Sequence, residues 1–215
     1  MEEWNLKLAL LLLIAYLLGA IPNGVWIGKR FFHTDIRAEG SGNIGTTNTF
    51  RVLGPVAGSA VLILDLAKGT VATLLPIWFH ITTNFSSPML LLFGLMAILG
   101  HTVSIFDHFK GGKAVATSAG MLLAYNPILF VIAAALFVSL IYLTSMVSLA
   151  SMVSFTIITI LCFVIHDVYL SILAVGLTIF VYWRHRANIK RIINGTENMV
   201  PFGLGYKHRQ RQQEK

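Results

Sequence analysis

A succession of apolar stretches runs through almost the whole chain and restricts its possible folds more than any other feature. Hydrophobic residues make up 56% of the 215 residues and charged residues 12%, whereas soluble domains carry about 25% charged residues. A helix that crosses a bilayer needs about 20 mainly apolar residues. The stretches run over Leu6–Ile27, Val52–Phe79, Pro88–Phe106, Ala114–Tyr125, Ile128–Ser145, Leu149–Ile165 and Val168–Trp183. They predict an all-α integral membrane protein, a bundle of helical spans.

The number of spans depends on Asn126-Pro127, because proline interrupts a helix. If this dipeptide is only a kink, residues 114–145 form one long span and the total is six; if it is a turn, the total is seven. Lys and Arg concentrate in the segments 28–51 and 107–113 and after Trp183. Seven spans place all three segments on one side, which the positive-inside rule makes cytoplasmic. We therefore predict seven spans, the N-terminus outside and the C-terminus in the cytoplasm.

The domain organisation predicted from the sequence is simple. We find no internal repeat and no soluble domain, so residues 1–215 form a single membrane-embedded domain, with a solvated basic tail over 205–215. The net charge of +7 suggests nucleic-acid binding at first sight, but the basic groups are dispersed between apolar spans, and we expect no such partner. The single Cys162 and the spacing of His and carboxylate residues predict no disulfide and no metal site.

The densest polar cluster lies over residues 40–51, Gly-Ser-Gly-Asn-Ile-Gly-Thr-Thr-Asn-Thr-Phe-Arg. Glycines allow backbone N–H groups to converge on an anion, and neighbouring hydroxyl, amide and guanidinium groups can complete the site. A dinucleotide site is a weak match because no strand precedes the glycines, and Thr46 stands where a P-loop requires lysine. A flexible linker is the alternative. The residues predicted to bind substrate here are Ser41, Gly42, Asn43, Gly45, Thr46, Thr47, Asn48 and Arg51.

Two further clusters lie nearer the middle of the chain. Gly111-Gly112-Lys113 precedes a short apolar helix, and a helix N-terminus with lysine and glycines can bind an anion. The alternative is that Lys113 only sets the topology. Asp65 and Lys68 interrupt an apolar stretch at a spacing that places both on one helix face. Ionisable residues within spans are functional candidates, but we favour a structural polar pair that neutralises itself.

The last clusters belong to the C-terminal half. Ser148 and Ser151 open a span and share a helix face, either as a cap or as part of a site. His185, Asn188 and Arg191 recur every three residues and share a face, and Glu197 follows them. A basic helix that contacts anionic lipid is the alternative for this segment.

Taken in order, these five clusters resemble the bacterial acyl-phosphate-dependent glycerol-3-phosphate acyltransferases (the PlsY family). The resemblance rests on Gly-Ser-Gly-Asn-x-Gly-x-Thr-Asn-x-x-Arg (40–51), Asp-x-x-Lys-Gly (65–69), Gly-His with Phe-x-Gly-Gly-Lys (100–113), Ser-Leu-Ala-Ser (148–151) and His-x-x-Asn-x-x-Arg-x-x-x-Gly-x-Glu (185–197). One departure is Ala114, where the family usually has glycine; alanine favours continuation of the helix.

The resemblance implies seven spans with the N-terminus outside, in a bacterial cytoplasmic membrane. It also implies transfer of a fatty acyl group from acyl phosphate to glycerol 3-phosphate, giving lysophosphatidic acid and phosphate, with no cofactor. Lys113, Arg51, His185 and Asn188 are then the expected catalytic residues. The family pattern has the donor phosphate accept the hydroxyl proton, with His185 as general base the alternative. A transporter of phosphorylated metabolites and a lipid-binding scaffold remain as rival functions.

Overall fold

The computed structural model describes residues 2–213, so Glu214 and Lys215, at the end of the expected tail, lie outside the described residues. Within them the secondary structure is helical, without a β-strand. A single 3₁₀ turn spans Ile105–Asp107. The helices are α1 (Glu2–Ala20), α2 (Asn23–Phe31), α3 (Thr46–Trp78), α4 (Pro88–Thr102), α5 (Val115–Tyr125), α6 (Pro127–Thr144), α7 (Val147–Val164), α8 (Val168–Arg184), α9 (Arg186–Ile193) and α10 (Leu204–Gln213). The all-α prediction is confirmed.

Among the described residues, four helices are long and apolar enough to cross a bilayer, namely α1, α3, α6 and α7. A fifth is obtained if α8 and α9, which meet at an angle of 60°, count as one broken span. Helices α4 and α5 are apolar but shorter. Together with the apolar side chains that the helices leave exposed, such as Val56, Ile128 and Ile172, this is the pattern of a multi-pass membrane protein. The total of seven stays a prediction.

The first apolar stretch does not form the continuous helix that we predict for Leu6–Ile27. Helix α1 ends at Ala20 and α2 begins at Asn23, after Pro22. Two side chains bind the carbonyl groups that the break releases: Lys68 donates to the carbonyl of Ile21 at 2.9 Å and Ser104 to that of Ala20 at 2.5 Å. Buried backbone carbonyls need such partners, so the break is stabilised from outside the helix.

Helix α3 also begins and bends where the apolar pattern does not predict it. It starts at Thr46, so the second half of the segment 40–51 is helical rather than a loop. Gly54, directly before Pro55, has φ +84° and interrupts the helix. The interruption at Asn126-Pro127 agrees with the sequence interpretation, since α5 ends at Tyr125 and α6 begins at Pro127.

The chain divides into two compact units, Met1–Pro127 and Ile128–Lys215. In the first unit, α3 packs against α1, α2, α4 and α5. Glycines bring α3 and α5 into close contact: a Cβ on Gly69 would lie 2.2 Å from the carbonyl oxygen of Thr117, and one on Gly120 would lie 2.0 Å from that of Leu66. Small residues at such crossings allow helices to pack closely in a bilayer.

In the second unit, α7 packs against α8. The hydroxyls of Thr159 and Thr178 join the two helices at 2.8 Å. Residues 204–213 form α10, most of whose described side chains are exposed, and the solvated tail stays a prediction. Ser145, the residue after α6, binds the start of this helix. The hydroxyl of Ser145 accepts a hydrogen bond from the N–H of Tyr206 at 2.9 Å and donates one to the carbonyl of Phe202 at 2.7 Å.

Candidate active site

The glycine-rich segment forms a turn that leads into the N-terminus of α3. Gly40 and Gly42 have φ of +59° and +69°, which glycine adopts without steric cost. The Oδ1 of Asn43 accepts a hydrogen bond from the N–H of Gly45 at 2.9 Å. Gly45 is the N-cap of α3 and supplies no side chain to the first turn. The N-terminus of this helix therefore keeps backbone N–H groups and its partial positive charge for another ligand.

Thr46, the first residue of α3, strengthens this interpretation. Its Oγ1 is buried and has no hydrogen-bond partner among the described residues. A buried hydroxyl without a partner is destabilising by about 1–3 kcal/mol, so such a group at a helix N-terminus is a candidate ligand contact. Thr47, Ser41 and Arg51 are exposed beside it.

Asn48 shapes this turn from the inside. Its Nδ2 donates to the carbonyls of Ile36 at 2.9 Å and Glu39 at 3.1 Å. Its Oδ1 accepts from the N–H and the hydroxyl of Ser41, at 2.8 and 3.1 Å, and lies 3.5 Å from an Nη of Arg51. Contact of Asn48 with substrate stays a prediction; these bonds show it holding the turn in shape.

The pair Asp65 and Lys68 is almost fully buried. The Nζ of Lys68 lies 2.9 Å from the Oδ1 of Asp65. Asn23 donates to the same oxygen at 2.9 Å, and the Nδ1 of His101 lies 3.9 Å from it. Together with the bond from Lys68 to Ile21, these contacts join α2, α3 and α4 around the break after α1. Asn23 gave no signal in the sequence, because its partner lies 42 residues away.

Gly111 and Gly112 run against the end of α4. The N–H of Gly112 donates to the carbonyl of His101 at 3.1 Å, and a Cβ on Gly112 would lie 2.2 Å from the imidazole Nε2 of that residue. The glycines are thus required by close packing. Lys113 follows them, partly exposed, one residue before the N-cap of α5.

Ala114 corrects one expectation. Alanine predicts a helix that continues through this position, but Ala114 has φ +56° and only precedes α5 as its N-cap. The left-handed conformation costs an alanine about 1–2 kcal/mol, and glycine adopts it freely. The surrounding loop therefore holds Ala114 in a left-handed backbone conformation that alanine adopts less readily than glycine.

A group of charges around Arg37 was missed in the sequence. Arg37 pairs with Asp35 and with the buried Asp107, and Lys29 lies 3.3 Å from Asp35. Hydrogen bonding by Arg37, opposed by partial burial, lowers the pKa of the Asp35 carboxyl well below its usual range. The same ion pairs raise the pKa of Arg37. Asp107 lies 70 residues from Arg37, so spacing gave no hint of the contact.

Glu197 is the centre of the polar cluster in the second unit. Its Oε1 accepts hydrogen bonds from Ser148 at 2.8 Å and from the Nδ2 of Asn188 at 2.6 Å, and its Oε2 accepts one from the Nε of Arg191 at 2.8 Å. Burial of Glu197 acts to raise its pKa, but these three donors outweigh burial and the pKa is lowered. The carboxylate is therefore charged and organises the residues around it.

His185 lies at the bend between α8 and α9 and is buried. Its Nδ1 lies 2.8 Å from the carbonyl oxygen of Val181. A carbonyl only accepts, so this nitrogen carries a proton and the lone pair of the neutral ring is on Nε2. Asn188 and Arg191 share a face of α9, as their spacing predicts, because both reach Glu197.

Ser148 and Ser151 have different surroundings. Ser148 binds Glu197 rather than capping α7, whose N-cap is Met146. Ser151 donates back to the carbonyl of Val147 at 2.8 Å, one turn earlier in the same helix. A role for Ser151 in substrate binding stays a prediction. In the described part of the chain, no group of three or more His, Cys, Asp or Glu side chains could hold a metal ion.

Comparison with known proteins gives consistent matches over most of the chain. The family model described as glycerol-3-phosphate acyltransferase matches residues 9–195. A glycerol-3-phosphate acyltransferase of Levilactobacillus brevis is 70% identical over 205 residues, covering 95% of this chain and 99% of that protein. The one of Lactiplantibacillus plantarum is 58% identical over 208 residues, covering 96% and 98%.

Solved structures agree with these relatives. The crystal structure of PlsY (YgiH), an integral membrane glycerol 3-phosphate acyltransferase, in its glycerol 3-phosphate form, superposes with a TM-score of 0.84 at 33% identity. It covers 90% of this chain and 96% of that one. The lysophosphatidic acid form of the same enzyme gives a TM-score of 0.81 at 32% identity.

Proposed function

This chain belongs to the glycerol-3-phosphate acyltransferase family, and we propose that it uses acyl phosphate as the acyl donor. The acceptor is glycerol 3-phosphate, and the products are lysophosphatidic acid and inorganic phosphate. The solved relatives, one in a form with glycerol 3-phosphate and one with lysophosphatidic acid, support the acceptor and the acylated product. The donor is inferred from the resemblance and from the chemistry below.

The observation that carries the proposal is the N-terminus of α3, with the turn of Gly40 and Gly42 before it and the buried, unpartnered hydroxyl of Thr46 in its first turn. Converging backbone N–H groups at a helix N-terminus bind phosphate without a metal ion or a lysine. Both substrates carry a phosphate group. Lys113, one residue before the N-cap of α5, provides a cation within the same unit.

The reaction we propose is a direct displacement. A hydroxyl oxygen of glycerol 3-phosphate attacks the carbonyl carbon of the acyl phosphate; a C–O ester bond forms and the C–O bond to phosphate breaks. The departing phosphate accepts the hydroxyl proton. Because an acyl phosphate is an activated mixed anhydride, alignment of the two substrates and stabilisation of charge suffice for catalysis. General base catalysis by Nε2 of His185 is the alternative.

We assign roles according to charge and position. Arg51, Lys113, His185 and Asn188 orient and stabilise the reacting groups. The residues that bind substrate, or hold those that do, are Ser41, Gly42, Asn43, Gly45, Thr46, Thr47, Asn48, Gly111, Gly112, Ser148, Ser151, Arg191 and Glu197. Asp65 and Lys68 act as a structural pair, supported by their contacts with Asn23 and Ile21.

We further propose seven spans in a bacterial cytoplasmic membrane, a single domain, and an active site that faces the cytoplasm. The support is the placement of Lys and Arg.

The topology can be tested by cysteine labelling. Ser41, Lys110 and Gln212 are exposed, whereas Cys162 is buried and gives little background labelling. Cysteines introduced singly at the three exposed positions should resist an impermeant thiol reagent in intact cells. Labelling at Gln212 with protection at Ser41 would favour six spans.

The direct test of function is release of phosphate by the purified protein. We expect phosphate and lysophosphatidic acid to form in equal amounts from acyl phosphate plus glycerol 3-phosphate, and little phosphate when the acceptor is omitted. Absence of turnover would contradict the proposal. Accumulation of labelled glycerol 3-phosphate inside sealed vesicles would favour a transporter instead.

A further inference from the structure

Arg37 links the two loops of the first unit that carry proposed phosphate-binding residues. One loop joins α2 to α3 and contains the glycine-rich turn; the other joins α4 to α5 and contains Lys113. Arg37 belongs to the first loop and forms an ion pair with Asp107 in the second. The hydrogen bonds of its side chain go to Asp35 and Asp107 rather than to the glycine-rich turn or Lys113, so its effect on phosphate binding is indirect.

Asp35 sets the direction of the Arg37 side chain. The guanidinium donates from Nε to Oδ1 of Asp35 at 2.8 Å and from Nη2 to Oδ2 at 2.5 Å. The backbone N–H of Arg37 donates to the same Oδ1 at 3.1 Å. A two-bond fork of this kind fixes the plane of the guanidinium. The remaining Nη1 is then the nitrogen that donates to Asp107.

Asp107 depends on this contact. Its side chain is 3% exposed, and its Oδ2 is buried with no hydrogen-bond partner among the described residues. A buried carboxylate is stable only when it is paired. Arg37 is partly exposed, whereas the carboxylate of Asp107 has little contact with water.

Each partner is tied to its own loop by hydrogen bonds. Asn48 binds the carbonyls on either side of Arg37, those of Ile36 and Glu39, and through its Oδ1 the backbone of Ser41. Movement of Arg37 therefore moves the glycine-rich turn.

The second loop is tied in the same way. The N–H of Lys110 donates to the carbonyl of Asp107 at 2.9 Å, and Ser104 pairs with Lys110 in an antiparallel bridge. Gly111-Gly112-Lys113 follow directly. Movement of Asp107 therefore moves the start of the segment that ends in Lys113.

We propose that Arg37 is a positioning residue, whose ion pair with Asp107 fixes the distance between the glycine-rich turn at α3 and the Gly111-Gly112-Lys113 segment. This inference rests on the proposed function, because it assumes that both segments bind phosphate groups. Loss of the pair would separate two sites that must act on substrates simultaneously. Misplacement of a reacting group by about 1 Å can cost about 100-fold in rate.

The test compares Arg37→Ala, Arg37→Lys, Asp107→Asn and the double variant Arg37→Ala/Asp107→Asn, with rates expressed per folded protein after thermal unfolding in detergent. Arg37→Ala should lower kcat/KM for glycerol 3-phosphate by about 10- to 100-fold. Arg37→Lys should lie between Arg37→Ala and the wild type, because lysine keeps the charge but cannot form the fork. The double variant should be no worse than Arg37→Ala, since both changes break one interaction.

Lys29→Ala is the matched control, because Lys29 also pairs with Asp35 but does not reach Asp107. It should stay within about twofold of wild type, as expected for an exposed pair. If Arg37→Ala does not fold, the same cycle is measured with Arg37→Lys. Normal kcat/KM per folded protein in Arg37→Lys and Asp107→Asn, or additive losses in the double variant, would overturn the proposal.

A binding measurement separates this inference from the proposed function. Glycerol 3-phosphate should raise the unfolding temperature of the wild type and Lys29→Ala, and raise it less for Arg37→Ala. If glycerol 3-phosphate stabilises the wild type but no turnover is seen, only the proposed reaction is contradicted. The rise in unfolding temperature of the variants then still tests the positioning role of Arg37. A wild type that is neither active nor stabilised overturns both proposals.

Discussion

The side-chain nitrogen of Asn188 lies 2.6 Å from Oε1 of Glu197, and this buried bond joins α9 to the segment that follows it. Glu197 is at the same time bound by Ser148 on α7 and by Arg191. Glu197, which the sequence analysis predicts as a substrate-binding residue, thus accepts hydrogen bonds from three other candidate residues.

We expect Glu197→Gln to lower activity more than tenfold and to destabilise the protein by about 3 kcal/mol, because it replaces one acceptor of a buried ionic group by a donor and leaves Arg191 without its charge partner. Thermal unfolding in detergent and steady-state rates measure the two effects. Glu39→Gln, at an exposed position whose side chain holds no such cluster, should leave both unchanged. Full activity of Glu197→Gln would show that the cluster does not support catalysis.

The lowered pKa of Glu197 also predicts a pH dependence. A carboxyl with a depressed pKa in the folded state contributes stability at neutral pH that is lost as the pH falls, starting below the unfolded value of about 4.3. The unfolding temperature of the wild type should therefore fall as the pH is lowered below about 4.3. Glu197→Gln should show a weaker drop over the same range; equal slopes would mean that Glu197 is not the responsible group.

Arg51→Ala and Lys113→Ala should each reduce kcat/KM by at least about 10- to 100-fold, because a charged hydrogen bond to phosphate contributes about 1.5–3 kcal/mol. Both side chains are at least partly exposed, so the variants should still fold. The control is Lys110→Ala, an exposed lysine in the same loop as Lys113, for which we expect near-normal rates. Near-normal turnover in Arg51→Ala or Lys113→Ala would remove that residue from the site.

Of the two arginines Arg209 and Arg211 in the tail, we expect only Arg209 to affect kcat/KM. Arg209 donates to the carbonyl of Glu197 at 3.2 Å and also to that of Gly195. Arg209→Ala should lower kcat/KM by up to about tenfold, since it removes charged hydrogen bonds worth about 1.5 kcal/mol from the segment that carries Glu197. Arg211→Ala, exposed on the same helix, should have no effect. Equal behaviour of the two variants would contradict a role for Arg209 in holding this segment.

Acyl transfer should proceed without an acyl-enzyme. Cys162 is buried within α7, and the hydroxyl of Ser151 donates to the backbone carbonyl of Val147. Ser148 donates to the carboxylate of Glu197, but Asn188 and Arg191 also bind that carboxylate and its pKa is lowered, so it is a weak base. Mass spectrometry of the protein quenched after mixing with donor alone should show no adduct. A Ser, Thr or Cys adduct that forms and discharges at the rate of turnover would establish a two-step mechanism.

The apolar stretches determined the helical, multi-pass character of this protein, because the cost of burying backbone polar groups in lipid leaves a chain of this composition few alternatives. The polar clusters identified the family, and Asn188 and Arg191 shared a face as their spacing required. These features depend on local periodicity and composition, which are visible in the sequence.

Other features were decided only by contacts between distant residues. The break after α1 is held by Lys68 and Ser104, Ala114 is forced into a left-handed conformation by its loop, and Arg37 meets Asp107 from 70 residues away. Asn48 and Glu197 are candidate ligands in the sequence, and the structure adds that each holds other candidates in place through hydrogen bonds. Which polar group organises a site and which is left for substrate depends on partners that only the folded chain brings within hydrogen-bonding distance.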